Sequence, residues 1–173
     1  MNLSKRPVTI DDEPFLRQLY AGTRAEEIAL WNWPAQQAEL FLRMQYDAQS
    51  RSYAYCYPGA EHSLLLAGDR PAGRIMVERT ATVIHLVDIS LLTEFRGQGN
   101  GTALLRELIE ECKATGGKVV LHVLSNNLAR RLYLRLGFRQ VGGDGLYDEM
   151  EWNSGEAEGL ELNEQRTIHR GNI

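Results

Sequence analysis

Gly97, Gly99 and Gly101 alternate with Gln98 and Asn100, directly after Arg96 and directly before a segment of strong helical periodicity. Three glycines ahead of a helix let the backbone turn its amides toward a bound anion. The free N–H groups of a helix's first turn and its dipole favour negative charge there. Arg96 adds a planar cation suited to phosphate oxygens. The bland alternative is a glycine-rich strand-to-helix turn that binds nothing. The spacing narrows the ligand. A dinucleotide loop reads G-x-G-x-x-G, and Thr102 stands where its third glycine would be; a nucleoside triphosphate loop ends in G-K-S/T, which is missing here.

The elements that must carry this loop are legible on either side. Before it, Val83–Leu92 is long and rich in β-branched residues, as a strand requires. After it, Leu104, Leu105, Leu108, Ile109 and Cys112 repeat at helical spacing, with Arg106, Glu107, Glu110, Glu111 and Lys113 on the other face. Gly116-Gly117 end that helix and Lys118–Leu124 reads as a buried strand. A second amphipathic helix is predicted over Asn127–Leu136, stopping at Gly137. Strands Phe138–Val141 and Leu146–Trp152 then flank the hairpin turn Gly142-Gly143-Asp144-Gly145.

Upstream, the pattern predicts a first strand at Val8–Ile10 and a helix capped by Asp11-Asp12 and running to about Tyr20. A further helical region is expected from Ala25 to about Gln49, bent at Trp31-Asn32-Trp33-Pro34 because proline removes a donor and collides with the preceding turn. Ser63–Ala67 and Ala72–Arg79 are strands joined by Gly68-Asp69-Arg70-Pro71, and the alternating Tyr53, Tyr55 and Tyr57 suggest one face of an edge strand. Clustered strands followed by alternating strands and helices predict an α/β (α+β) fold with a mixed central sheet of about seven strands. Residues 1–152 are expected to form a single domain, and 153–173 a polar tail or arm.

Two motifs in register resemble the GNAT N-acetyltransferase superfamily. Its acetyl-CoA motif, R/Q-x-x-G-x-G/A, is met by Arg96, Gly99 and Gly101, and Ile89-Ser90-Leu91 looks like the family's strand end. Thr93 stands where the family often has proline. The later motif, N-x-x-A-x-x-L-Y-x-x-x-G-F, is met by Asn126, Ala129, Leu132, Tyr133, Gly137 and Phe138. The resemblance runs from Val8 to Trp152. It implies the GNAT fold, a mostly antiparallel sheet flanked by about four helices, and transfer of acetyl from acetyl-CoA to a primary amine by direct attack in a ternary complex. In residue terms it implies that the amides of Gln98, Gly99, Asn100, Gly101 and Thr102 hold the pyrophosphate and that the backbone of Ser90 and Leu91 pairs with the pantetheine arm. Asn126 would bond the CoA arm or cap a helix, and Tyr133 would protonate the leaving thiolate or simply pack.

Such a reaction needs a base for the acceptor ammonium. His85, five residues before Ser90, has an ordinary pKa near 6.5 suited to that work. Asp88 is its rival, on the opposite strand face by alternation. Acceptor contacts are expected from Tyr20, Arg24, Trp31, Trp33 and the three tyrosines, with the amine, small molecule or peptide, unspecified. A longer acyl-CoA, or a CoA-binding regulator without turnover, are the competing readings.

The 173 residues are 43% apolar and 24% charged, ordinary for a globular chain and wrong for a disordered or fibrous one. The net charge of −4 includes four Glu against two Arg after Trp152, so the body lies near −2 and offers no basic footprint for nucleic acid. With no membrane span or signal peptide in the pattern, the expectation is a cytoplasmic protein, without metal, since Cys56 and Cys112 are too few for a zinc site or a disulfide framework. A homodimer is also expected, with Leu160, Leu162 and Ile168 as anchors of a docked arm.

Overall fold

The computed structural model describes residues 3–155. Seven strands form one sheet in the order β1-β2-β3-β4-β5-β7-β6: β1 (Ser4–Pro7), β2 (Glu61–Ala67), β3 (Arg70–Arg79), β4 (Val83–Leu91), β5 (Lys118–Leu124), β6 (Arg139–Gly143) and β7 (Tyr147–Asn153). Among the described residues there are four α-helices, α1 (Glu13–Ala29), α2 (Ala35–Cys56), α3 (Asn100–Thr115) and α4 (Ala129–Arg135). The ladders are antiparallel for β1–β2, β2–β3, β5–β7 and β6–β7, and parallel for β4–β5. This is the mixed sheet with four helices that the sequence predicts.

Residues 3–78 and 87–103 form one compact unit, and residues 79–86 and 104–155 a second. In the first, Leu16 and Tyr20 of α1 and Tyr46 of α2 pack with Leu64 of β2 into a core, extended by Val8, Phe15, Leu42 and Leu66. In the second, Leu104, Leu105, Leu108, Ile109 and Cys112 of α3 are all buried, as their spacing predicts, together with Val119, Leu121, Phe138, Met150 and Trp152. Helix α3 stops at the expected glycine pair, where the Gly117 amide donates back to the Cys112 carbonyl at 3.2 Å.

The N-terminal third departs from expectation. The first strand is Ser4–Pro7, not Val8–Ile10, because residues 4–7 are the ones laddered to Ser63–Leu66. Val8 makes only one amide bond, to His62, and Ile10–Asp12 then turn into a short 3-10 segment that leaves Ile10 exposed. Helix α1 runs on past Tyr20 to Ala29. The bend at Trp31–Pro34 is present, and the rings of Trp31, Trp33 and Phe41 cluster there at centroid distances of 4.8–5.6 Å. Tyr53 and Tyr55 lie on α2, which extends to Cys56, with Tyr57 at its C-terminal cap; no edge strand forms. Helix α4 is shorter than expected by about a residue at each end, and β6 and β7 close the hairpin as predicted to within two residues.

Asp12 also differs from its expected role. Its carboxylate reaches back rather than into α1, accepting from the Arg6 guanidinium (2.7 Å to each oxygen) and from the Thr9 amide (2.8 Å). The Arg6 contact first, then the Thr9 amide, holds this carboxyl far below the usual carboxylate range. A depressed native pKa contributes stability above the unfolded value near 4, and that contribution is lost as pH falls from there toward the folded value. Asp12→Ala is expected to lower stability by about 1 kcal/mol at pH 7, the usual size of a lost cap interaction. The difference from wild type should shrink on acidification below about pH 4, as thermal melts across that range would record.

Ser154, at the start of the expected tail, is tied down: its amide and hydroxyl donate to the Gly117 carbonyl at 3.2 and 2.9 Å. Leu160, Leu162 and Ile168 lie outside the described residues. No helix among the described residues is long and apolar enough to cross a membrane, and no group of three or more His, Cys, Asp or Glu could hold a metal ion among them.

Candidate functional site

In the first unit, β4 delivers the chain to the glycine loop. The β4–β5 register runs from Val83↔Lys118 to Leu86↔Leu121 and stops, so Ser90 and Leu91 lie beyond it. On the other edge of β4, β3 comes very close: a Cβ at Gly73 would sit 2.2 Å from the Ser90 carbonyl oxygen. Only glycine fits there, which fixes the backbone of Ser90 and Leu91 in place. A 3-10 turn over Thr93–Phe95 follows, and then the loop itself.

Side chains brace the loop from its own strand end. The Arg96 Nε donates to the Leu91 carbonyl at 2.7 Å, Gln98 Nε2 to the Glu94 carbonyl at 2.5 Å, and the buried Asn100 Nδ2 to the Phe95 carbonyl at 2.9 Å. Glu94, in turn, accepts from Arg70 at 2.6 Å and is an exposed ion-pair member. Gly97 and Gly99 have φ of 70° and 83°, and a Cβ on either would meet nothing within 4 Å. Asn100, Gly101 and Thr102 open α3, whose first bond from Ala103 runs to the Gly99 carbonyl at 2.9 Å. The amides ahead of Ala103 have no intrahelical acceptor, so an exposed, braced turn presents them beside open space at the positive end of a 16-residue helix.

The same unit holds a buried polar chain that the sequence reading does not assemble. Arg74 of β3 pairs with Asp88 of β4, their side chains only 5% and 13% exposed. A second contact of the Arg74 guanidinium reaches Gln49 of α2 at 2.8 Å, and the Tyr53 ring lies under it at 5.9 Å. The other Asp88 oxygen accepts from the Ser90 hydroxyl at 2.9 Å. Both carboxylate oxygens of Asp88, the expected rival base, are thus engaged. Removing one member of a buried pair leaves the other charge uncompensated, which typically costs about 3–5 kcal/mol. Asp88→Ala is therefore expected to show a large loss in chemical denaturation. Any fall in activity of that variant has to be read against its folded fraction.

Nearby in this unit, Glu13 accepts from the Tyr46 hydroxyl at 3.1 Å and pairs with Arg17 at 3.0 Å; Arg17 also reaches Asp47 at 2.8 Å. Two shielded nitrogens hydrogen-bond to nothing among the described residues, Arg17 Nη1 and His62 Nε2. The alternation of His62 with Leu64 and Leu66 along β2 hints that this imidazole faces inward, yet only the structure shows what it faces.

The second unit holds the remaining expected site residues. His85 is half-buried and sits opposite Val120 in the β4–β5 register. Tyr133 is 6% exposed on α4, its ring packed edge-on to Phe138 at 5.7 Å. Asn126 lies exposed in the β5–α4 turn; the cap falls to its neighbour Asn127, whose Oδ1 accepts from the Ala129 amide at 2.9 Å. Asp148 of β7 fixes this turn and α4, accepting from Ser125 Oγ at 2.8 Å and from Arg130 Nε at 2.6 Å. Those two contacts, the Ser125 bond first, hold the Asp148 carboxyl below its usual range.

The family model described as "Acetyltransferase (GNAT) family" matches residues 18–138 of the chain. No curated protein matches it. Among solved structures, the PaiA N-acetyltransferase of Thermoplasma acidophilum, crystallised in complex with coenzyme A, is 19% identical with a TM-score of 0.65, covering 88% of this chain and 99% of its own. An acetyltransferase from Thermus thermophilus is 21% identical with a TM-score of 0.63, over 88% of this chain and 97% of its own. A GNAT family acetyltransferase from Elizabethkingia anophelis, crystallised with acetyl-CoA bound, is 16% identical with a TM-score of 0.53, over 88% and 98%. At these identities the likeness is one of fold.

Proposed function

The chain belongs to the GNAT acetyltransferase family, and from that premise we propose that it moves the acetyl group of acetyl-CoA onto a primary amine by direct attack in a ternary complex. The observation that carries this reading is the braced glycine loop at the start of α3, with φ of 70° at Gly97 and 83° at Gly99 and open space where side chains would stand. A pyrophosphate fits such a turn, because the amides of Gln98, Gly99, Asn100, Gly101 and Thr102 supply donors and the helix end supplies positive potential. The remaining roles follow the family motif: backbone at Ser90 and Leu91 for the pantetheine arm, Asn126 for a further bond to it, and a contribution from Arg96 to the phosphates. Gly73 supports the first of these by fixing the strand at Ser90.

In the reaction, the free amine attacks the thioester carbonyl, the C–S bond breaks, and the thiolate takes a proton from the Tyr133 hydroxyl. The side chains of Ser90 and Asp88 bond each other, so Ser90 is not paired with a base and orienter that would make it a nucleophile. That favours direct transfer over an acyl-enzyme. Calorimetric titration with acetyl-CoA, followed by thiol release over a panel of a polyamine, an aminoglycoside, an arylalkylamine and a lysine peptide, tests the reading. Binding with amine-dependent thiol release is expected. Binding without release from any acyl-CoA would leave a CoA-binding module, and no binding would sink the proposal.

A further inference from the structure

A histidine nitrogen shielded from solvent with no hydrogen-bond partner is rare, because leaving a buried polar atom unpaired typically costs about 1–3 kcal/mol. His62 Nε2 is such an atom among the described residues. His62 is cross-strand partner to Met76, and Leu64, two residues along, is partner to Arg74. With a period of two, His62, Leu64 and Arg74 share the sheet face on which α1 and α2 pack through Leu16, Tyr20 and Tyr46. Asp88 and Ser90 reach the same face through their bonds to Arg74 and to each other. An imidazole with a vacant nitrogen thus stands in the polar chain that ends at Ser90, the residue proposed to border the acyl donor.

We propose that His62 Nε2 is the terminal acceptor of the proton lost by the acceptor ammonium, which reaches it through one bridging water. An N–H bond of the ammonium breaks, its electron pair stays on nitrogen to attack the thioester, and the proton ends on Nε2, giving an imidazolium that returns it to solvent after product leaves. The surroundings suit both states. Burial, and then the positive Arg74 of β3, push the imidazole below its ordinary value, so it is neutral and able to accept at neutral pH. Asp88 of β4, Glu13 of α1 and Asp12 of the preceding turn act in the opposite sense and stabilise the imidazolium once formed. By contrast, Asp88 already has both oxygens engaged, and His85 lies in the other unit.

This assignment rests on the acetyl-transfer reading, and the experiment separates their failures. Wild type and His62→Gln are compared for acetyl-CoA binding by calorimetry, and for thiol release across about pH 5–9 with the best amine of the panel above. Equal acetyl-CoA affinity is expected, with turnover of His62→Gln lower by roughly 10²–10⁴-fold and its acidic limb gone. In wild type that limb should have an apparent pKa below about 6.5. A full rate with the limb retained in His62→Gln overturns the assignment, and it passes to His85 if His85→Ala removes the limb instead. Nitrogen-15 spectra of the wild-type imidazoles give a readout that needs neither variant nor acceptor. A bare Nε2 on His62 at neutral pH is required; a protonated Nε2, as tautomer or cation, overturns the proposal. Should wild type bind no acetyl-CoA and release no thiol, the acetyl-transfer reading fails, and the assignment falls with it.

Discussion

Gly99→Val is expected to abolish acetyl-CoA binding while leaving the protein folded. Gly99 sits at φ 83°, a region that costs an L-residue roughly 1–2 kcal/mol and a β-branched one more, so the variant will melt somewhat below wild type. The fold has room for the side chain, since a Cβ there meets nothing within 4 Å. That open space is what the proposed pyrophosphate would occupy, and a valine would keep its oxygens off the loop amides. Gly68 supplies the control: its φ is 63°, its Cβ position is equally open, and it lies in the β2–β3 turn. Gly68→Val should share the strain and keep the binding. At ligand about 100 times its dissociation constant, a native-state ligand stabilises by about 2.7 kcal/mol. For a chain of this size that raises the melting temperature by roughly 5–10 °C, at about 2–4 °C per kcal/mol. Wild type and Gly68→Val should show the rise and Gly99→Val none. A full rise in Gly99→Val would mean that the loop is not the anion cradle.

What can be read in the sequence divides along the range of the interactions that set it. Helix α3 and strand β5 declare themselves through periodicity, because their apolar positions are fixed by a core running the length of each element. The glycine loop is legible for a similar reason: its positive φ values are a local demand that the sequence meets with glycine. The first strand is misplaced because Val8–Ile10 looks more strand-like than Ser4–Pro7, yet the ladder to β2 selects the latter. Tyr53, Tyr55 and Tyr57 mislead in the opposite sense. Alternation over five residues fits a strand, but nothing in it says that α2 continues; Tyr55 is 88% exposed on that helix. The Gln49–Arg74–Asp88–Ser90 chain is illegible because its members come from α2, β3 and β4, and only tertiary packing brings them together. His62 belongs to the same class, since a lone histidine in a strand carries no pattern until its neighbours are known.

Tyr133→Phe should lower turnover by roughly 10²–10⁴-fold with acetyl-CoA affinity nearly unchanged. The substitution keeps the buried ring and its edge-on packing against Phe138 at 5.7 Å, so the local scaffold of α4 survives. What it removes is the hydroxyl proton offered to sulfur as the C–S bond breaks. An interaction made only as the bond breaks lowers kcat and kcat/KM together, whereas loss of a ground-state contact raises KM and spares kcat. The leaving group supplies a sharper discriminant. A thioester whose thiol is more acidic than that of coenzyme A needs less proton assistance, so the deficit of Tyr133→Phe should narrow with such a donor. A merely structural tyrosine would give the same deficit with both donors. If Tyr133→Phe keeps full activity with acetyl-CoA, the acid role is wrong, and the thiolate must draw its proton from water.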